Sequence, residues 1–247
     1  MMAAAWLGLC IFLAWTIEAM SGFGSIVIAL SLGALLLPIA DMLPILVTLN
    51  VLSGTWLLLQ HRRHIDRKLL WQRILPAMVT GTVIGALLRD DLPGTALKTG
   101  FALLILWFSL RQLWLLKRGQ VSGEHKPVTT QGLMLGAGLT HGLFASGGPL
   151  LVYALAGVGV PKARFRATLI TVWLALNAVL LELFIMQGRM QPYLPRIALY
   201  IPVIVLAVIL GNRLHHGLDE DRFRLMVFRL LAVVGAALLL SQVRSLW

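Results

Sequence analysis

Two short segments of this chain carry the residue types from which an anion site can be built inside a membrane. Ser21-Gly22-Phe23-Gly24-Ser25 and Ser146-Gly147-Gly148-Pro149 each interrupt one apolar run and precede another. If a helix follows each interruption, its first turn has main-chain amides without helical partners. Those amides and the positive end of the helix dipole suit a negative charge. Glycine lets a ligand approach the backbone, the serines add hydroxyl donors, and Pro149 fits a first helical turn because its missing amide costs nothing there. Two such breaks, brought face to face near the middle of the membrane, would make a site that needs no buried arginine. Close helix packing on glycine explains a single Gly-x-Gly equally well, but here breaks recur at matching places in the two halves.

Titratable and amide side chains stand close to both breaks. Glu18 precedes the first inside an apolar run, where an ionised carboxylate is costly and usually functional. His141 precedes the second, and an imidazole changes charge near neutrality. Both are candidates for carrying a coupling proton, and a structural hydrogen bond is the alternative for each. Asn50 and Asn177 lie in long apolar segments and serve either to line the site or to join helices. Glu182 has no counterpart in the first half and reads equally as a buried structural group or as a coupling site. His61, His64, His215 and His216 lie in polar loops with no further ligands converging, so no metal and no cofactor is expected.

The elements that must position these groups are membrane helices. The chain of 247 residues is 59% hydrophobic and 13% charged, with a mean hydropathy of +0.87, far from the balance of soluble domains. Apolar stretches of about 20 residues recur, as from Met42 to Leu59 and from Ala167 to Gln187. The net charge of +11 falls in short loops rather than in a basic stripe, which excludes a nucleic-acid partner. The lone Cys10 builds neither a disulfide framework nor a thiolate metal site. Met1 to Leu13 lacks a basic leader region and reads as a retained membrane segment.

The halves repeat. Ser21-Gly22 recurs as Ser146-Gly147, 125 residues on; Pro38 pairs with Pro161 at 123, Asn50 with Asn177 at 127, and Pro76, Gly85, Leu92 and Lys98 pair with Pro202, Gly211, Leu218 and Arg224 at 126. Each half opens on an interrupted stretch, Ala3 to Ile17 then Ser25 to Leu37, and Gly132 to Ala145 then Leu150 to Val160. Pieces of about 12 to 16 residues, roughly 18 to 24 Å of helix, fall short of a 30 Å crossing and are expected to form dipping hairpins. Three longer segments follow in each half. The expectation is an all-α polytopic membrane protein of two inverted repeats, each a broken helical hairpin plus three transmembrane helices, with about eight to ten membrane segments. Residues 1–116 form the first repeat, 117–130 a cytoplasmic linker and 131–247 the second repeat. With the loop from His61 to Trp71 in the cytoplasm, sixteen Lys and Arg collect on that side and five on the other. That bias puts both termini outside the cytoplasm.

The paired breaks, the proline some fifteen residues after the first, and the second ending at Val160-Pro161 make the chain resemble the TauE/SafE sulfite exporter family of 4-toluene sulfonate uptake permease-like proteins. The likeness runs over nearly the whole chain, although many members carry a longer glycine run than Gly147-Gly148. It implies a multi-pass protein of the bacterial plasma membrane that moves sulfite, sulfoacetate or other sulfur-containing and organic anions. The resulting expectation is a secondary transporter working by alternating access, with a small anion, the bilayer and a coupling proton as partners, and with a homo-oligomer left open. The competing classes are an intramembrane enzyme using His141 and Glu18, which lacks the paired carboxylates or activated nucleophile such chemistry needs, and a structural membrane subunit.

Overall fold

Inside a bilayer an apolar segment must close its own backbone hydrogen bonds, and a single segment can do so only as a helix. The structure, a computed structural model, describes residues 2–21, 24–61, 65–118, 126–155, 162–214 and 220–244. In order these form α1 (Met2–Ser21), α2 (Ser25–Gly33), α3 (Ile39–His61), the single turn α4 (Arg67–Leu69), α5 (Leu75–Asp91), α6 (Gly94–Arg118), α7 (Pro127–Phe144), α8 (Gly148–Ala154), α9 (Lys162–Met186), α10 (Leu194–Leu214) and α11 (Glu220–Arg244). A π turn, Leu70–Ile74, joins α4 to α5. Pro76 lies just beyond it; a proline has no amide to donate and crowds the carbonyl four residues back, which widens a helix at that point.

Seven of these helices are long and apolar enough to cross a membrane: α1, α3, α4 with α5, α6, α9, α10 and α11. The protein is thus an all-α polytopic membrane protein. Large apolar side chains such as Trp56, Leu199 and Val233 are exposed on the helix faces, which in lipid is the solvated state. The expected hairpin arms need one correction. α1 has 20 residues and α7 has 18, so the first arms are longer than read, and α1 is of spanning length. The first arm is expected to end at Ile17, but α1 runs through Glu18 to Ser21, and the Glu18 carboxylate is bonded to Ser25 of the following element. The second arms are short, 9 residues in α2 and 7 in α8.

The described residues divide into two compact units, and each draws on both sequence halves. The first holds α1, α2, the start of α3, α6, α10 and α11. There α1 and α10 cross in parallel: a Cβ on Gly211 would stand 2.6 Å from the Thr16 carbonyl, one on Gly8 3.3 Å from the Tyr200 ring, and the Tyr200 hydroxyl donates to the Ala4 carbonyl at 2.8 Å. α6 and α11 run antiparallel, with Phe108 edge-on to Phe228 at 5.6 Å and Gly235 against Ala102 and Leu106.

The second unit holds the rest of α3, then α5, α7, α8 and α9. α5 and α7 cross in parallel with main chain against main chain. A Cβ on Gly81 would strike the Leu135 carbonyl, on Gly85 that of Leu139, on Gly138 that of Met78 and on Gly142 that of Thr82. The Thr82 hydroxyl adds a 3.3 Å hydrogen bond to the Gly138 carbonyl. α3 and α9 run antiparallel, Asn50 meeting Asn177 and Gly54 facing Leu174. Thr168 accepts from the Asp66 amide at 3.0 Å, fixing the start of α4 to α9. Around this crossing Ile74, Met78, Met134, Ala137, Leu151, Val172 and Leu176 form a continuous apolar core.

The glycine crossing gives a direct expectation. Gly142→Leu forces the α5 and α7 backbones apart and should cost about 1–3 kcal/mol or prevent folding, while Gly94→Leu, with nothing within 4 Å of the added Cβ, should leave thermal unfolding in detergent unchanged.

Candidate functional site

α7 is started by Pro127 in its first turn and stopped by Ala145, which takes the left-handed conformation (φ 51). The Ala145 amide donates to the His141 carbonyl at 2.6 Å. The chain then turns through Ser146 and Gly147 and re-enters helix at Gly148, with Pro149 in the first turn of α8. Only glycine fits at position 147, because a Cβ there would strike the Ala137 carbonyl and stand 2.9 Å from the His141 Cβ. α8 therefore starts directly against the flank of α7.

That approach puts the Gly147 amide on the His141 imidazole, donating to Nδ1 at 3.5 Å. With Nδ1 accepting, the neutral ring carries its proton on Nε2. His141 is 1% exposed and stacks on Trp173 of α9, ring centroids 6.0 Å apart. Asn177, also 1% exposed and one helical turn beyond Trp173, donates from Nδ2 to the Asn50 Oδ1 at 2.7 Å. The Asn177 side chain lies within interaction range of the imidazole, although His141 Nε2 and Asn177 Oδ1 have no partner of good hydrogen-bond geometry among the described residues. An N–H donor and a carbonyl acceptor are thus buried side by side. Together these groups form a polar row from the break through α7 and α9 to α3.

The first break is built from the same parts. Gly24 takes the left-handed conformation (φ 99) that starts α2, and the Glu18 carboxylate accepts from both the amide and the hydroxyl of Ser25. A titratable side chain of the first arm therefore fills the leading amide of the second arm, as His141 does across the other break. Ser21 ends α1, while Gly22 and Phe23 lie outside the described residues.

The Ser146 hydroxyl donates to the Phe144 carbonyl at 3.0 Å. Glu182 is exposed. His64, His215 and His216 lie outside the described residues, and among those described no cluster of three or more His, Cys, Asp or Glu forms a metal cage.

Two residues were missed by sequence reasoning. Trp173, which walls His141 and stands 3.5 Å from a Cβ built on Gly148, lies four residues before Asn177 on one helix face, a spacing that could have revealed it. Arg89 is the second: it is 4% exposed and donates from Nη1 to the Gly142 carbonyl at 3.3 Å, one residue from His141. Its neighbours Asp90 and Asp91 made it look like an interfacial charge.

Comparison with known proteins adds to this geometry. Residues 7–238 match the family described as Sulfite exporter TauE/SafE. A relative from Cupriavidus necator, named "Probable sulfite/organosulfonate exporter TauE", is 25% identical over 230 residues, covering 92% of this chain and 88% of its own. No solved structure matches.

The row of polar groups makes a measurable prediction. Asn50→Ala, Asn177→Ala and the double variant should show a coupling of about 0.6 kcal/mol, and at most about 1.7, in detergent unfolding. Strict additivity would mean that the 2.7 Å contact contributes nothing.

Proposed function

The chain belongs to the sulfite exporter TauE/SafE family, and from that premise we propose that it moves a small sulfur-containing or organic anion, such as sulfite or a sulfonate, across the bacterial plasma membrane as a proton-coupled secondary transporter. One observation carries the proposal: at each break the amide that an anion would take is held by a side chain that can accept a proton, Glu18 on Ser25 and His141 on Gly147.

The competition for these amides supplies the coupling. A protonated Nδ1 no longer accepts from Gly147, and a protonated Glu18 is a weaker acceptor without charge. Proton binding therefore frees donors at the start of α8 and α2, and the anion takes them together with the dipole of the turn behind them. Loss of the proton returns the amides to Glu18 and His141 and expels the anion. Binding of proton and anion favour each other, as linkage requires.

Alternating access needs two arrangements of equal standing, and the internal duplication supports them. Helices at equivalent places in the two halves, α3 with α9 and α6 with α11, pack antiparallel, as inversion of one half requires. Asn50 meets its own counterpart Asn177, as residues do on a pseudo-twofold axis. Gly85 and its counterpart Gly211 each press on the main chain of the first arm of a hairpin. The proposal includes residues 1–116 and 131–247 as the repeats, both termini on the non-cytoplasmic side, and Ser21, Gly22, Phe23, Gly24, Ser25, Ser146, Gly147, Gly148, Asn50 and Asn177 as the substrate-binding set.

Purified protein in liposomes should take up a radiolabelled sulfonate or sulfite, faster with the proton gradient directed the same way, and Glu18→Gln should lose that acceleration. Gly148→Ala adds a methyl that meets only the Trp173 ring at 3.5 Å, so it should melt like the parent yet lower flux about ten-fold, a loss of about 1.4 kcal/mol. Full flux in Gly148→Ala would remove the second break from the pathway.

A further inference from the structure

Arg89 ends α5 in surroundings that do not match its charge. Its side chain is 3% exposed. Nη1 donates to the Gly142 carbonyl at 3.3 Å, the guanidinium carbon stands 4.7 Å over the Phe184 ring, and Nε lies 3.5 Å from the Asp90 carboxylate. That carboxylate is closer to another cation, Arg189, at 2.7 Å, and its second oxygen accepts from Gln187 at 2.9 Å. Among the described residues Nη2 of Arg89 has no hydrogen-bond partner. Two guanidinium groups thus share one carboxylate, and the deeper one holds the weaker contact and a bare donor.

We infer that Arg89 is an anion-binding residue whose guanidinium receives the oxyanion group of the transported species beside the second break, with Asp90 as the internal group the anion displaces. This rests on the anion-transport reading above and extends it to a residue outside both breaks. A buried charged donor left unsatisfied is expensive, so whatever fills it is favoured. The guanidinium edge presents parallel N–H groups that match two oxygens of one sulfo or sulfite group, where a lone halide bridges them poorly. The position fits as well. Because α5 and α7 run parallel, the last turn of α5 and the break after α7 share one end of the pair, and Gly142, which Arg89 holds, directly follows His141.

A purely structural pin would need the same burial, so the test must read binding. The full chain in liposomes is assayed for initial rates of methanesulfonate uptake, giving KM and the maximal rate, with melting in detergent alongside. Absence of saturable flux in the parent protein overturns transport and this inference together. With flux present, Arg89→Gln should raise KM about ten-fold or more while the maximal rate stays within about two-fold, and Arg89→Lys should recover part of the affinity. An unchanged KM with lowered melting makes Arg89 a pin and overturns the inference alone. Should Arg89→Gln fail to fold, Asp90→Asn decides, since it keeps the cation and removes its competitor: KM should fall about three-fold or more, and a KM that is unchanged or raised overturns the proposal.

Discussion

A helix broken among buried apolar neighbours leaves amides that neither water nor the helix can satisfy, and each unsatisfied group costs several kcal/mol. That constraint shapes this protein. The break after α1 is held by Glu18 on Ser25 and the break after α7 by His141 on Gly147, so the amides are filled by groups whose own state depends on protons. Capping by a main-chain carbonyl would have been cheaper and permanent. On the proposed mechanism a titratable cap would make the same donors available at one time and closed at another.

Holding such a cap in place requires rigid neighbours, and these come from main-chain contact together with the apolar core around it. Gly81, Gly85, Gly138 and Gly142 bring α5 and α7 together at backbone distance, where small residues substitute for the hydrophobic effect that lipid does not provide. Gly147 extends the same economy to α8, which can start against α7 only because no side chain intervenes. Trp173 closes the remaining side by stacking on the His141 ring. His141 thus lies between three helices, each placed by an element that tolerates little change.

Much of this was legible in the sequence because membrane helices announce themselves by length and composition. The spans read as Met42 to Leu59 and Ala167 to Gln187 appear in α3 and α9, to within a few residues at their ends, and Asn50 and Asn177, matched only by their register, touch. The arms of the hairpins were less legible. A carboxylate in an apolar run looks like a terminus when its partner is unknown, and the partner of Glu18 is a residue across a turn. Arg89 was hidden for the opposite reason: between an apolar helix and two aspartates an arginine resembles a solvated end, and only the packing of Phe184 and Gly142 around it makes it a buried charge.

Glu18 and His141 stand 123 residues apart, the shift that also relates Pro38 to Pro161, yet one is an acid and the other a base. An ionised Glu18 opposes an arriving anion twice, by occupying the donors and by like charge, whereas a neutral imidazole only occupies its donor. A proton on Glu18 therefore removes a negative charge, and a proton on His141 adds a positive one, but each vacates one amide and raises the local charge by one. On the proposed mechanism a singly charged anion restores the charge each break had before protonation, negative at Glu18 and neutral at His141, so proton and anion add no net charge together. On that mechanism moving proton and anion together costs less than moving the anion alone, and the two caps, though an acid and a base, would keep the same stoichiometry.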